Sequence, residues 1–195
     1  MPLLVGLGNP GDRYERTRHN VGWLVLDRLA ERLKARPFES SRTCEVWRAS
    51  RGGGVIDLMK PFTYMNLSGS AIAAWTARHP VDESQLLVVT DDVYLPLGTI
   101  RLRAGGSSGG HRGLESIAAA LGHERFARLR IGVGAAESAA ELREHVLEEF
   151  TEAEEKDVRE AIDAAADAAD CWIHEGIGPA MNRFNRRVRK EGSES

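Results

Sequence analysis

Short apolar segments alternate along this chain with longer segments of helical periodicity, and this alternation constrains the fold more than any other feature. Apolar runs at residues 3–8 and 85–90 are typical of buried strands, and the spacing of Val21, Val25 and Leu29 predicts a helix over 20–34. Further strands are predicted at 43–49, 54–59, 99–103 and 128–133, and further helices at 67–78, 114–121, 140–150, 151–174 and 179–189. This interleaving predicts an α/β fold in which helices cover a mixed β-sheet.

Length and composition favour one ordinary globular domain. The chain has 195 residues, of which 42% are apolar and 28% charged, so collagen, coiled coil and global disorder are excluded. We expect a single domain over residues 1–190 and a flexible tail over 191–195. No apolar run approaches the ~18 residues of a membrane span, and the N-terminus lacks the basic region of a signal peptide, so we expect a cytoplasmic protein without a membrane partner. Cys44 and Cys171 match no zinc or redox spacing and are expected to be reduced thiols.

Charge is segregated along the chain although the net charge is only −3. Residues 135–175 are strongly acidic, as expected of a solvated helix face, whereas residues 99–134 are basic. Alternate residues of a strand point to one face, so Arg101 with Arg103, and Arg128 with Arg130, are expected to form two positive pairs. Two such strands side by side would bind phosphate, which makes a polyanionic partner plausible.

The first predicted strand ends in a match to the dinucleotide-binding pattern, carried by Gly6, Gly8 and Gly11. The context differs from that of a nucleotide fold, because a loop follows the glycines and a helix containing Asp27 and Glu31 occupies the place of the second strand. We therefore expect no nucleotide cofactor.

Polar side chains follow two predicted strands at their carboxyl ends, where ligands bind in open α/β sheets. Asn9 follows the first strand and leads into a loop with His19, and Asp91 follows the strand over 85–90. A carboxylate on one imidazole nitrogen fixes the tautomer and leaves the other nitrogen free to accept a proton. The alternative for His19, considered by itself, is a surface residue or a helix cap.

Two further segments have both a structural and a functional interpretation. Asn66, at the start of a predicted helix, is most simply an N-cap, although its amide could also donate to a developing oxyanion. The glycine-rich segment 104–113 is either a flexible loop or a backbone cradle for an anion.

The sequence lacks the signatures of several catalytic classes. It contains no nucleophile elbow and no metal-binding spacing of histidines, since His111 and His123 are too far apart for a helical ligand pair. The available histidine, carboxylate, amides and arginines suit attack by water on an activated carbonyl, with neither a metal nor a covalent intermediate.

Taken together, the motifs resemble those of the bacterial-type peptidyl-tRNA hydrolases. The resemblance covers nearly the whole chain and is carried by GLGNPGDRYERTRHNVG, KPFTYMNLSG, LPLGTIRLRAGGSSGGHRGLESI and FARLRIGVG. It implies a single α/β domain with a twisted mixed sheet. It also implies a monomeric enzyme of translation and ribosome rescue that hydrolyses the ester between an N-blocked peptide and the 3′ end of tRNA, without a cofactor or a metal.

The resemblance implies roles for individual residues. His19 resembles the general base, Asp91 the carboxylate that orients it, Asn66 the amide that binds the 3′ end and the developing charge, and Asn9 the residue that distinguishes peptidyl from free aminoacyl esters. The positions that resemble tRNA-binding residues are Tyr14, Tyr64, Asn66, Arg103, His111 and Arg130, with the acceptor stem and 3′ end as the partner.

The chain departs from the family pattern near the site. Arg112 stands where the family usually has asparagine, and Tyr94 replaces a second carboxylate. We predict that Arg112 adds a phosphate contact. The alternative function is a non-hydrolytic or weakly active RNA-binding protein on the same fold. A small-molecule esterase lacks its expected nucleophile and leaves the paired arginines unexplained. The Arg183–Lys190 segment either contacts the tRNA body or forms a solvated helix end.

Overall fold

The computed structural model describes residues 1–51, 54–135 and 139–185. It contains the strands β1 (Leu3–Gly6), β2 (Arg36–Ser40), β3 (Cys44–Arg51), β4 (Gly54–Pro61), β5 (Leu86–Asp92), β6 (Ile100–Arg103) and β7 (Ala127–Gly132). The helices are α1 (Val21–Leu33), α2 (Ser68–Thr76), α3 (Arg112–Leu121), α4 (Ala139–His145), α5 (Glu155–Glu175) and α6 (Ile177–Phe184). The predicted α/β class is confirmed.

The strands described form one mixed sheet in the order β2-β3-β4-β1-β5-β7-β6. Strands β4, β1, β5 and β7 are parallel to their neighbours within this group, whereas β2, β3 and β6 join the sheet through antiparallel pairs. The carboxyl ends of the four parallel strands therefore meet at one edge. Asn9 follows β1, Asn66 follows β4, and Asp91 is the penultimate residue of β5. These three residues therefore lie at the same edge of the sheet.

Helices cover both faces of the sheet, as the strand patterns require. Along β1, Leu4 packs into a core with α1, α5 and α6, and Leu3 and Val5 pack into a second core with α2 and α3. Alternate residues of a strand point to opposite faces, so a central strand with helices on both sides is apolar throughout. In the described part of the chain, no helix is long and apolar enough to span a membrane.

Gly6 and Gly8 of the nucleotide-like pattern, together with Gly22, allow close packing between the sheet and α1. A Cβ on Gly22, near the start of α1, would lie 2.6 Å from the Leu7 backbone nitrogen and from the Val89 carbonyl oxygen. A Cβ on Gly6 would clash with the Gly22 carbonyl, and one on Gly8 would lie 2.8 Å from the Trp23 ring. The helix thus approaches the sheet to within backbone contact, which brings the residues just before it to the carboxyl edge.

Several predicted boundaries were wrong. The edge strand β2 was missed because Pro37 was interpreted only as a helix terminator, whereas proline is also tolerated in an edge strand. Helix α3 starts at Arg112, two residues before the predicted start, because His111 caps it. Glu154 accepts from the Thr151 N–H at 2.8 Å, as expected of a capping box, but α5 begins only at Glu155. The last helix, predicted over 179–189, begins at Ile177 and ends at Phe184, whereas the predicted tail over 191–195 lies outside the described residues.

Candidate active site

The loop before α1 presents His19 at the carboxyl edge of the sheet. A short 3₁₀ turn over Arg18–Asn20 leads into α1, and the backbone N–H groups of Arg18 and His19 donate to the carbonyls of Glu148 (3.0 Å) and Val146 (2.8 Å). The buried Arg18 guanidinium donates to both carboxylate oxygens of Glu154, at 3.0 and 2.7 Å. The backbone bonds to residues 146 and 148 and the side-chain bonds to Glu154 therefore hold this segment in place, which fixes where the His19 ring can lie.

The expected contact between His19 and Asp91 is present. The Nδ1 atom of His19 lies 2.9 Å from both carboxylate oxygens of Asp91, the penultimate residue of β5. The alternative of His19 as a helix cap is wrong, since Asn20 occupies the N-cap position of α1. Asp91 is 3% exposed, whereas the His19 side chain retains 14% exposure and faces a cavity.

His111 completes a three-residue cluster around the same carboxylate. Its Nε2 lies 2.9 Å from Asp91 Oδ1 and 2.8 Å from Thr90 Oγ1, while its Nδ1 accepts the backbone N–H groups of Gly113 (3.1 Å) and Leu114 (3.3 Å). A nitrogen that accepts two N–H groups carries no proton, so the proton is on Nε2 and is donated to Asp91. His111 is thus a neutral ring with a fixed tautomer, and Asp91 remains a carboxylate that accepts from two imidazoles.

The electrostatics of the cluster favour an ionised Asp91 and a basic His19. Burial acts to lower the pKa of His19, but the charge of Asp91 and its hydrogen bond outweigh burial, and the pKa is raised above the ordinary 6.5. Burial acts to raise the pKa of Asp91, but this pKa nevertheless falls well below its usual range because both histidines face the carboxylate and donate hydrogen bonds to it. With Nδ1 held by Asp91, the remaining nitrogen of His19, Nε2, is the atom that can accept a proton.

The donor atoms of His19, Asp91 and His111 lie within 4.8 Å of one another, close enough to surround a metal ion. The hydrogen bonds described above account for the arrangement of these atoms without an ion. Because His111 Nδ1 accepts two backbone N–H groups, the proton of this ring is on Nε2, the nitrogen that faces the cluster, and a protonated nitrogen cannot bind a metal ion. The donor set therefore fits a hydrogen-bonded triad better than a metal centre.

Asn9 is held against Asn20, the residue after His19, by contacts that the sequence did not reveal. The buried Asn20 accepts from the Asn9 backbone N–H at 2.9 Å and donates to its carbonyl at 3.0 Å. The Asn9 side-chain oxygen accepts from the Met65 N–H at 2.8 Å, which leaves its Nδ2 as a donor. Met65 precedes Asn66, so the segments after β1 and β4 are joined at this point.

The remaining predicted residues have different surroundings. The N-cap interpretation of Asn66 is wrong: it lies exposed in the 3₁₀ turn before α2, and its side chain makes no hydrogen bond within the described chain. Tyr64 is 54% exposed, and Tyr14 lies in a 3₁₀ turn under the Arg13 guanidinium. Arg103 is exposed on β6. Asn66 and Tyr64 therefore offer free polar and aromatic surface, whereas the Arg13 guanidinium covers one face of the half-buried Tyr14 ring.

The prediction that all four strand arginines form an exposed phosphate site is wrong for Arg128. This residue is 1% exposed and donates to the carbonyls of Gly106, Ser107 and Glu124. Arg130 donates to the Ser108 carbonyl at 2.9 Å and lies 3.3 Å from Asp92. The two arginines of β7 thus hold the glycine-rich loop in place, because the loop carbonyls turn towards the strand.

A cavity of about 290 Å³ adjoins the histidine cluster. The carboxyl end of β5, the glycine-rich loop and α4 form its walls, and His19, Asp91, His111, Arg112 and Arg130 are among the lining residues. The sequence did not reveal the contribution of α4, since its short amphipathic pattern gives no indication of where the helix packs. Asn9, Tyr14, Tyr64 and Asn66 do not line this cavity.

Comparisons with known proteins agree on one family. The family model described as peptidyl-tRNA hydrolase matches residues 3–192. The chain is 48% identical to the peptidyl-tRNA hydrolase of Desulforudis audaxviator, over 95% of this chain and 93% of that protein, and 44% identical to that of Syntrophomonas wolfei, over 95% and 100%. The crystal structure of the Acinetobacter baumannii peptidyl-tRNA hydrolase superposes with a TM-score of 0.89 at 32% identity, covering 95% of this chain and 94% of that one.

Proposed function

The chain belongs to the peptidyl-tRNA hydrolase family, and we propose that it hydrolyses peptidyl-tRNA with a water molecule activated by His19. The observation that carries the proposal is the 2.9 Å contact between His19 Nδ1 and the buried Asp91 carboxylate, beside a cavity. A general base needs a free nitrogen, a fixed tautomer and access to the substrate. His19 has all three.

The reaction follows from this geometry. His19 Nε2 takes a proton from water as the water oxygen attacks the ester carbonyl, and Asp91 stabilises the imidazolium that forms. Collapse of the tetrahedral intermediate breaks the bond to the ribose oxygen, which receives the proton from His19. The products are a peptide carboxylate and a tRNA with a free 3′-terminal ribose hydroxyl.

The two asparagines are assigned to substrate recognition. Asn66 has a free amide that can donate to the developing oxyanion. Asn9 has its oxygen occupied by the Met65 N–H, so its amide is oriented to donate to a carbonyl of the blocked peptide. A site built to make a hydrogen bond rejects a substrate that lacks the partner, which would disfavour free aminoacyl-tRNA.

The tRNA is assigned to the aromatic and basic residues around the cluster. Tyr14 and Tyr64 are assigned to the terminal adenosine, whose base can stack on an aromatic ring. Arg103, exposed on β6, and Arg130 are assigned to the phosphates of the acceptor stem, and His111 to the positioning of Asp91. We further propose a monomeric cytoplasmic enzyme that needs neither a cofactor nor a metal, with its domain ending near residue 190.

The test compares N-acetylated and free aminoacyl-tRNA as substrates of the wild type and of His19→Ala. We expect hydrolysis of the blocked substrate, its near-complete loss in His19→Ala, and retained tRNA affinity by filter binding. His174→Ala, on the far part of α5, is the matched control and should keep full activity. Unchanged turnover in His19→Ala would reject the mechanism, and tRNA binding without any hydrolysis by the wild type would favour the RNA-binding alternative.

A further inference from the structure

The cavity beside His19 contains positive charge that the reaction itself does not use. Arg112, at the start of α3, and Arg143, in α4, line it from two walls, and neither guanidinium has a carboxylate partner among residues 1–51, 54–135 and 139–185. The other charges of the cavity are matched: Arg130 lies 3.3 Å from Asp92, and Asp91 accepts from two imidazoles. Two uncommitted guanidiniums in one cavity indicate an anionic ligand.

From these contacts we infer that Arg112 and Arg143 bind the phosphodiester that joins the last two nucleotides of the tRNA. The inference rests on the proposed function, because it places the ester at His19. Every substrate carries this phosphate one ribose away from the ester, whereas acidic peptide side chains occur in only some substrates. The only anion that every substrate carries next to the reacting bond is therefore a phosphate of the RNA, not a side chain of the peptide.

The position of the cavity also favours RNA over the peptide as the source of the anion. Arg130, which lines the cavity, belongs to β7 and is directly opposite Arg101 of the edge strand β6. Arg101 and Arg103 are exposed on that strand. A strand of RNA that runs from His19 towards these arginines passes the cavity first, so the phosphate nearest the ester meets Arg112 and Arg143.

The other walls suit a nucleotide. Gly109 and Gly110 have φ angles of 63° and 81°, and a Cβ on Gly110 would meet no atom within 4 Å, so the loop backbone is open to close approach by a phosphate. Tyr94 is 70% exposed at the rim, and a ring presented in this way is a surface on which a base can stack. The cavity thus offers contacts both to the phosphate and to the base of the penultimate nucleotide.

Two short substrates isolate this phosphate. One is an N-acetyl-aminoacyl ester of adenosine, and the other is the same ester of the dinucleotide cytidylyl-adenosine, which adds the phosphodiester. The measured quantity is the ratio of kcat/KM for the dinucleotide ester to that for the adenosine ester. Variants are Arg112→Gln, Arg143→Gln and the double variant. Arg36→Gln, an exposed arginine of β2 at the opposite edge of the sheet, makes the same change of charge as a control.

We expect the wild type to prefer the dinucleotide ester and the double variant to lose roughly tenfold or more of this preference, with Arg36→Gln unchanged; tenfold corresponds to about 1.4 kcal/mol. A proportional fall on both esters would overturn the inference and assign the arginines to the peptide or to folding. An unchanged ratio in the double variant, or a wild type that does not distinguish the two esters, would also overturn it. Absence of hydrolysis of every ester and of N-acetyl-aminoacyl-tRNA would instead reject the proposed function.

Discussion

Replacing Asp91 by asparagine removes an acceptor from a group that serves two imidazole rings. Asp91 Oδ1 lies 2.9 Å from both His19 Nδ1 and His111 Nε2. His111 cannot change its tautomer without losing the two backbone N–H groups on its Nδ1, so it continues to donate to the single oxygen of the new amide. The NH₂ group of that amide then faces His19, which must accept it at Nδ1 and carry its own proton on Nε2.

The consequence for catalysis is the loss of the general base, because Nε2 then bears the proton that it should accept. General-base catalysis contributes about 10²- to 10⁴-fold to a rate, or about 3–5.5 kcal/mol of barrier. We expect Asp91→Asn to lower kcat by a factor in this range, with little change in KM. The assay is single-turnover release of N-acetyl-amino acid from tRNA, and circular dichroism verifies that the variant is folded.

The double variant Asp91→Asn with His111→Asn tests the tautomer argument itself. Asparagine is a good N-cap, so its side-chain oxygen can accept the N–H groups of α3 in place of His111 Nδ1. Without the second imidazole, the amide oxygen at position 91 can turn towards His19 and restore the active tautomer. We expect the double variant to be faster than Asp91→Asn. If it is equally slow or slower, or if Asp91→Asn keeps wild-type kcat, the reasoning is refuted.

Two other perturbations test the surroundings of the cluster. Arg18→Met breaks the buried pair with Glu154 and should lower the free energy of unfolding by about 3 kcal/mol in urea denaturation at pH 7. Hydrogen bonds from Arg18, and to a smaller extent from Thr151, lower the pKa of Glu154 from 4.5 to about 2. The part of the difference that comes from the ion pair should therefore be present above pH 4.5 and decrease as the pH falls towards 2, and a difference independent of pH would contradict this. Because Asp91 raises the pKa of His19, the acid limb of kcat/KM should lie above pH 6.5, and a midpoint below 6.5 in the wild type would show that burial dominates instead.

The sequence alone determined the alternation of strands and helices and the chemical character of the main site residues. Periodicity depends only on neighbouring residues, so β1, α1 and β5 were predictable. The general rule that parallel strands end at one edge then placed Asn9, His19 and Asp91 together. The resemblance to a family added roles for these residues.

Only the tertiary structure decided which side chains share a partner. His111 is 20 residues from Asp91 in the chain, and its ring reaches the carboxylate because the glycine-rich loop folds back over β7, held by Arg128. Strand periodicity placed Arg128 on an exposed pair, but the path of that loop buried it. Such contacts depend on the order of the strands and on the path of the loops that connect them. Both are properties of the whole fold, so they leave no local pattern in the sequence.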